Sequence, residues 1–247
     1  MKIVRCEQHS IEWWDARLGV ATGSKMNDIL GFLKKGGESQ ARANYRAKIV
    51  AELVTQQQQM DGYLSPEMEW GTDQEPLARA AYEIRTGNDV DQVGFMLHDT
   101  IPLFGGSADG LVGDDGGIEI KCPKTSTHLR WMLEGEVPEE HRLQMYSYMA
   151  LSGRKWFDFI SFDPRLPLRH QLFIMRLERD EAKVKEIEDG VKVFLAEVQW
   201  MIAQINDLNP QIETPVKPDV MHGPELGITD ADTSDWMNQH FPEHAAH

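Results

Sequence analysis

The sequence predicts an α/β fold, a central mixed β-sheet flanked by helices, and three observations carry that expectation. A glycine-rich stretch from Ser107 to Lys121 reads as a β-hairpin, with Leu111-Val112 and Ile118 to Ile120 flanking the turn cluster Gly113-Asp114-Asp115-Gly116-Gly117. Two further β-rich, aromatic runs, Lys155 to Phe162 and Arg169 to Leu177, are joined by a proline-containing turn. Around them lie stretches with apolar residues at helical spacing. The longest, capped by Asp180 and running to about Asp207, places Val184, Ile187, Val191, Phe194, Leu195, Val198, Ile202 and Ile205 on one stripe. Helices, a strand cluster, a helical pair, two strands and a closing helix make the order of a sheet covered by helices.

Taken in order, Ser10 is placed to cap a short helix that ends at Arg17-Leu18-Gly19. Thr22-Gly23-Ser24 then opens a second helix to about Leu30, with Thr22 as the expected N-cap. Free backbone N–H groups there, with the Ser24 hydroxyl and Arg17, form an anion pocket; plain helix capping is the other reading. Lys34-Lys35-Gly36-Gly37 is a basic loop suited to a phosphate backbone or only to solvent. From Gln40 to Met60, Tyr45, Ile49, Val50 and Leu53 share one helical face, with Arg42, Arg46 and Lys48 around it. Met68 and Trp70 come just before the next expected helix. That helix opens on Thr72-Asp73-Gln74-Glu75, which has capping-box spacing, with Pro76 in its first turn and an apolar stripe on to Gly87.

A strand is expected at about Val93 to Leu97, ahead of the hairpin. Thr125-Ser126-Thr127 should cap a helix around His128 to Leu133, and Pro138 should start another to about Leu151, with Gln144 on it. After Asn206 the chain is rich in Pro, Gly and Asp. The expected division is one domain over 1–205 and an acidic tail over 206–247, in which Trp236, Met237 and Phe241 could dock.

Composition narrows the function classes. No apolar run approaches the roughly 20 residues of a membrane span, and a signal-peptide layout is absent, so no membrane role is expected. The two cysteines, Cys6 and Cys122, are too few for a disulfide scaffold and fit a reducing cytoplasm. Cys6-Glu-Gln-His9 is half of a zinc pattern with no second half. The net charge of −15 argues against a strongly basic grip on nucleic acid. Its distribution is uneven: residues 1–60 carry nine Lys/Arg against six Asp/Glu, and residues 206–247 carry one against eight.

The hairpin concentrates the chemistry. Alternation puts Glu119 and Lys121 on one strand face and Ile118 and Ile120 on the other, and Asp109 returns close to Glu119 across the turn. Two acids and a lysine would converge at the edge of a small sheet. Carboxylates with a backbone carbonyl and waters make the oxygen-only shell that Mg²⁺ prefers. Such an ion acidifies bound water and neutralises charge on a phosphate, while a lysine steadies the oxyanion. A solvated Glu-x-Lys pair is the plain alternative.

The words Ser-Ala-Asp-Gly-Leu (Ser107 to Leu111) and Ile-Glu-Ile-Lys-Cys-Pro (Ile118 to Pro123) resemble the PD-(D/E)xK nuclease superfamily. Within it they resemble the lambda-exonuclease-like phage alkaline exonucleases, the YqaJ-type viral recombinases. Arg17 to Ser24, Trp70-Gly71 with Glu75 and Ala78-Arg79, and Phe162-Asp163-Pro164 follow in family order, so that the likeness spans most of residues 10 to 205.

The resemblance implies a restriction-endonuclease-like core and Mg²⁺-dependent 5′-to-3′ degradation of one strand of linear duplex DNA, leaving a 3′ overhang. Mn²⁺ would substitute and Ca²⁺ inhibit. It implies Asp109, Glu119, Glu75 and the Ile120 carbonyl as metal ligands, Lys121 as activator of the nucleophile and Gln144 as its positioner. Arg17 and Ser24 would hold a 5′-phosphate, Met68 would act as a wedge between base pairs, and Lys34 and Lys35 would lie along the DNA. It further implies a ring-shaped homotrimer, a single-strand annealing protein as partner, and a phage or prophage protein acting in the cytoplasm of its bacterial host. The rivals are a structure-specific or restriction-like endonuclease of the same fold, and an acidic binding protein without catalysis.

Overall fold

The computed structural model describes residues 1–33, 35–59 and 65–208. The expected α/β class with helices flanking a central mixed sheet is what the chain adopts, and its strands divide into two sheets. In the first, β1 (Lys2–Val4) pairs antiparallel with β4 (Phe95–Leu97), β4 antiparallel with β5 (Phe104–Gly106), and β5 parallel with β2 (Ala21–Thr22). The second has the order β3 (Val90–Asp91), β6 (Gly110–Val112), β7 (Gly116–Lys121), β8 (Trp156–Phe162), β9 (Leu172–Glu178). Only β7 and β8 run parallel in it. Glu119 and Lys121 therefore sit on a central strand, with Asp109 just ahead of the neighbouring β6, not at the sheet edge the sequence suggested. The short strands β1, β2, β3 and β5 were not expected at all, because two or three residues carry no readable alternation.

The hairpin forms with Gly110 opposite Ile118, and its turn is turned by Gly113 at φ +50°. Gly116 serves packing instead, since a Cβ there would run into the Trp156 ring. Both faces of β7 are covered, which is why its residues are buried up to Ile120 and only Lys121 at its end is partly exposed. On one face Ile118 and Ile120 meet Ala78 and Tyr82 of α4 (Pro66–Thr86). The Tyr82 hydroxyl donates to Asp158 at 2.8 Å, and Arg176 closes on the same carboxylate, fixing how α4 lies on the sheet. On the other face Phe157 and Phe159 join the main core with α3 (Gln40–Thr55), α6 (Glu139–Ser152) and α7 (Glu181–Leu208).

Four local expectations change. The helix expected from Thr72 begins at Pro66, because Ser65-Pro66 offers a first-turn proline that starts a helix one full stretch earlier. Glu75 therefore lies mid-helix and is no cap, and Pro76 sits inside the helix, where it gives no N–H to the ladder. Thr22 makes no side-chain cap: a 3₁₀ turn over Gly23–Lys25 leads into the four-residue α2 (Met26–Ile29). The cap of α5 (Thr125–Glu134) is Lys124, since the Thr125 hydroxyl donates to the buried Asp163 at 2.6 Å. Ser10 caps α1 (Ile11–Arg17) as expected, and Asp180 caps α7, which runs to Leu208. Lys34, the Met68 side chain, Trp236, Met237 and Phe241 lie outside the described residues, as does all but the start of the 206–247 segment.

Candidate active site

Continuing the hairpin register by one residue puts Asp109 opposite Glu119. The loop that delivers Asp109 is tied down on both sides. Ser107 accepts from the Trp13 indole at 2.8 Å and donates to the Gly94 carbonyl at 2.6 Å, and Gln8 donates to the Ala108 carbonyl at 3.1 Å. Asp109 Oδ2 then accepts from the Ile120 N–H at 2.6 Å. Glu119 is 0% exposed. Lys121 Nζ stands 2.5 Å from its Oε1, yet neither Glu119 oxygen receives a well-directed hydrogen bond from the described residues. From α4, Glu75 reaches the same place and accepts from Arg79 Nη2 at 2.5 Å, a guanidinium that also approaches the Asp109 carbonyl at 3.4 Å.

These groups strain against one another electrically. Burial, then the neighbouring Asp109, pushes Glu75 up to about 7, against the pull of Arg79 and Lys121. Burial pushes Glu119 up to about 8, with Asp109 and Glu75 adding to it and Lys121 opposing. Asp109 is raised by burial, against Lys121 and the Ile120 N–H. Burial pulls Lys121 down, but Glu119, Asp109 and Glu75 outweigh it and hold the ammonium above its ordinary range. Three acids around one lysine call for more positive charge than the chain supplies.

Among the described residues no three His, Cys, Asp or Glu side chains stand as a ready cation cage. The donor set still fits a hard cation that takes one or two carboxylates and keeps its waters. Its mark is the buried Glu119 carboxylate, whose two oxygens find no well-directed hydrogen bond among the described residues.

The site opens into a cavity of about 700 Å³ lined by Glu75, Asp109, Ile120 and Lys121, and also by Trp70, Lys124, Trp131, His141 and Arg165. Gln144 does not line it: its amide donates to the Tyr148 hydroxyl at 2.7 Å. Tyr148 is buried, and the fields of Glu119 and Asp109 add to burial in raising its phenol. Arg17 lies over the Trp13 ring at 4.2 Å and the Phe95 ring at 5.6 Å, with no side-chain hydrogen bond to described residues; burial lowers it. Ser24 is exposed in the 3₁₀ turn, 3.3 Å from the Thr22 hydroxyl, and Tyr45 stands between that turn and Arg17. Lys35 is exposed in a turn away from the cavity.

Sequence reasoning missed His141 and Tyr148. Their spacing with Gln144, at i, i+3 and i+7, puts three polar groups on one face of α6, a pattern that was readable. Burial and Lys121 lower His141 to about 4, so its ring is neutral.

Comparison with known proteins bears on the family and the fold. Residues 12–155 match the YqaJ-like viral recombinase domain. An alkaline exonuclease from Laribacter hongkongensis is 41% identical, with a TM-score of 0.76 over 83% of this chain and 100% of its own; its complex with dAMP matches equally. A phage-related exonuclease from Haemophilus somnus, 14% identical, shares the fold at a TM-score of 0.59 over 75% of this chain and 96% of its own. No curated protein matches the chain. Fold and site define the class, a phage-type exonuclease. The chain belongs to the YqaJ-like viral recombinase family.

Proposed function

We propose that this exonuclease hydrolyses one strand of linear double-stranded DNA from a 5′-phosphorylated end, leaving a 3′ overhang for phage-type single-strand annealing. The observation that carries the reading is Glu119, a fully buried carboxylate with no well-directed hydrogen bond among the described residues, paired to Lys121 and flanked by two more acids at a cavity wall. Asp109, Glu119 and the Ile120 carbonyl, with Glu75 beside them, would hold a divalent cation, which when bound would supply an acidified water and neutralise phosphate charge. Mg²⁺ is the expected ion, with Mn²⁺ substituting and Ca²⁺ inhibiting.

Lys121, charged because acids surround it, steadies the oxyanion and orients the attacking water; it is no proton acceptor in that state. Gln144 positions the nucleophile only by turning toward the cavity, since its amide is held by the Tyr148 hydroxyl and lies outside the cavity lining. Arg17 and Ser24 hold the terminal phosphate, Arg17 being a guanidinium with aromatic support and no side-chain hydrogen bond among the described residues. Met68 parts the entering base pairs, and Lys34 and Lys35 follow the backbone.

The working form is a ring-shaped homotrimer in the cytoplasm of a bacterial host, with a single-strand annealing protein as partner. Residues 1–205 form the nuclease domain and 206–247 an acidic tail. Among the described residues no helix is long and apolar enough to cross a membrane. The test is release of acid-soluble mononucleotides from linear 5′-phosphorylated duplex with Mg²⁺, abolished by EDTA. Nicking of a closed circle at a comparable rate would replace this reading with the endonuclease.

A further inference from the structure

The cavity beside Lys121 has a wall that the hydrolytic machinery does not use. Trp70 of α4 carries the Arg165 guanidinium over its ring at 4.8 Å. Arg165 directs Nε to Asp163 at 2.6 Å and Nη2 to the Pro123 carbonyl at 2.9 Å, leaving Nη1 without a hydrogen bond among the described residues. Facing the same space, His141 stacks on Phe159 at 5.4 Å and meets Trp131 edge-on at 5.6 Å. Its ring makes aromatic contacts and no side-chain hydrogen bond among the described residues. Trp131 is 4% exposed, and its indole N–H is buried with no acceptor among those residues. At the rim, Lys124 reaches Glu67 at 3.1 Å with most of its side chain exposed.

Aromatic faces beside cations are the means by which proteins hold single-stranded nucleic acid: bases stack, and the backbone follows the positive groups. Their placement gives direction. Arg17 is joined through Trp13 to Ser107, just before Asp109. Arg165 and Lys124 instead gather beyond the C-terminal end of β7. The two cationic places thus flank the acids from different elements.

We propose that this cavity is a subsite for the nucleotide on the 3′ side of the bond being cut. Its base lies against Trp70 and His141, and its following phosphate lies between Arg165 and Lys124. The inference rests on the hydrolytic reading above, with the terminal phosphate at Arg17.

The experiment compares two 5′-phosphorylated duplexes, one natural and one with an uncharged methylphosphonate between the second and third nucleotides of the cleaved strand. Single-turnover release of the first nucleotide with Mg²⁺ should be about tenfold slower for the methylphosphonate, the size of one lost charge-assisted contact. Lys124→Ala and Arg165→Lys should slow the natural duplex by roughly the same factor and the neutral one by less than about twofold. Lys124→Ala removes only an exposed pair, so a folding defect in the arginine variant leaves the cycle intact. Equal slowing on both duplexes, or a wild type indifferent to the methylphosphonate, overturns the subsite. Binding of both duplexes by Lys121→Ala protein reads the subsite without turnover. No hydrolysis by wild type, with binding still weakened by the methylphosphonate, sinks the hydrolytic reading and keeps the subsite.

Discussion

Two clusters of buried charge stand in this molecule, built from the same side-chain types and settled in opposite ways. Between α3 and α7, Arg42 and Arg46 meet Glu38 and Glu197. Glu197 Oε2 accepts from both arginines at 2.6 Å, its Oε1 accepts from Arg42 at 3.0 Å, and Arg46 closes on both Glu38 oxygens at 2.6 and 2.7 Å. All four carboxylate oxygens are used and two positive charges match two negative ones. Burial alone would raise Glu38, but its hydrogen bonds from Arg46 and Arg42 outweigh that and hold it low. Around β7 three acids face Lys121 and Arg79, Glu119 finds no well-directed hydrogen bond among the described residues, and Glu75 and Glu119 are pushed up to about 7 and about 8. Burial is common to both clusters; the supply of donors is not. The first cluster is finished by folding, and the second is finished only by something that binds.

The sharpest way to break this contrast is Lys121→Ala. It should reduce cleavage by roughly 10²–10³-fold or more, the scale of losing a charge stabiliser at the reacting group. DNA binding measured with Ca²⁺ should survive; lost binding in a folded variant would remove Lys121 from the chemistry. A paired substitution comes next. Glu197→Gln should lower unfolding free energy in urea by about 3–5 kcal/mol, because it leaves buried arginine unpaired. The folded fraction should keep its turnover. Glu119→Gln should do the reverse, abolishing turnover while stability holds or rises by about 1 kcal/mol. A stability loss at Glu119 equal to that at Glu197 would erase the distinction between the clusters.

Much of the second cluster was legible in the sequence, and the first was not. Asp109, Glu119 and Lys121 sit within one hairpin, so strand alternation and a short turn were enough to bring them together. Glu75 carried two readings, helix cap or metal-site acid, because Thr72 to Glu75 copies a helix start; the helix begins at Pro66 instead, which removes the cap. Arg42 looked like a solvated flank of its helix, yet it is 1% exposed, and its partner Glu197 is 155 residues away. No local spacing encodes such a pair. That Trp70, His141 and Arg165 reach one cavity, from two helices and the loop after β8, is likewise not written in any local spacing.

A smaller effect tests whether Arg17 belongs with the unfinished charges. Arg17→Ala should slow cleavage of 5′-phosphorylated ends about 10- to 100-fold, the range of a charge-assisted contact, and leave 5′-hydroxyl ends within about twofold. An equal loss on both kinds of end would return Arg17 to packing on Trp13 and Phe95.

The smallest expected effect is a slope of stability with pH, measured by urea unfolding in EDTA. Well above pH 4.5 the unfolded carboxyls of Glu75 and Glu119 hold almost no proton, whereas the folded ones keep theirs until about 7 and about 8. The folded state then binds more protons, so stability present at low pH is lost as pH rises through those values. His141, lowered to about 4 when folded, works the other way below its ordinary value of 6.5, which makes pH 6.5 to 8 the window to read. Wild type should lose on the order of 1–2 kcal/mol across it relative to a Glu75→Gln, Glu119→Gln double variant. Saturating Mg²⁺ should flatten the slope, since a bound cation keeps both acids ionised throughout. Glu38 gives the opposite sign: its lowered carboxyl contributes stability above 4.5 that disappears as pH falls. A wild-type slope that Mg²⁺ leaves untouched would mean that the raised acids answer only to burial, and the β7 cluster would then be as closed as the one beside α7.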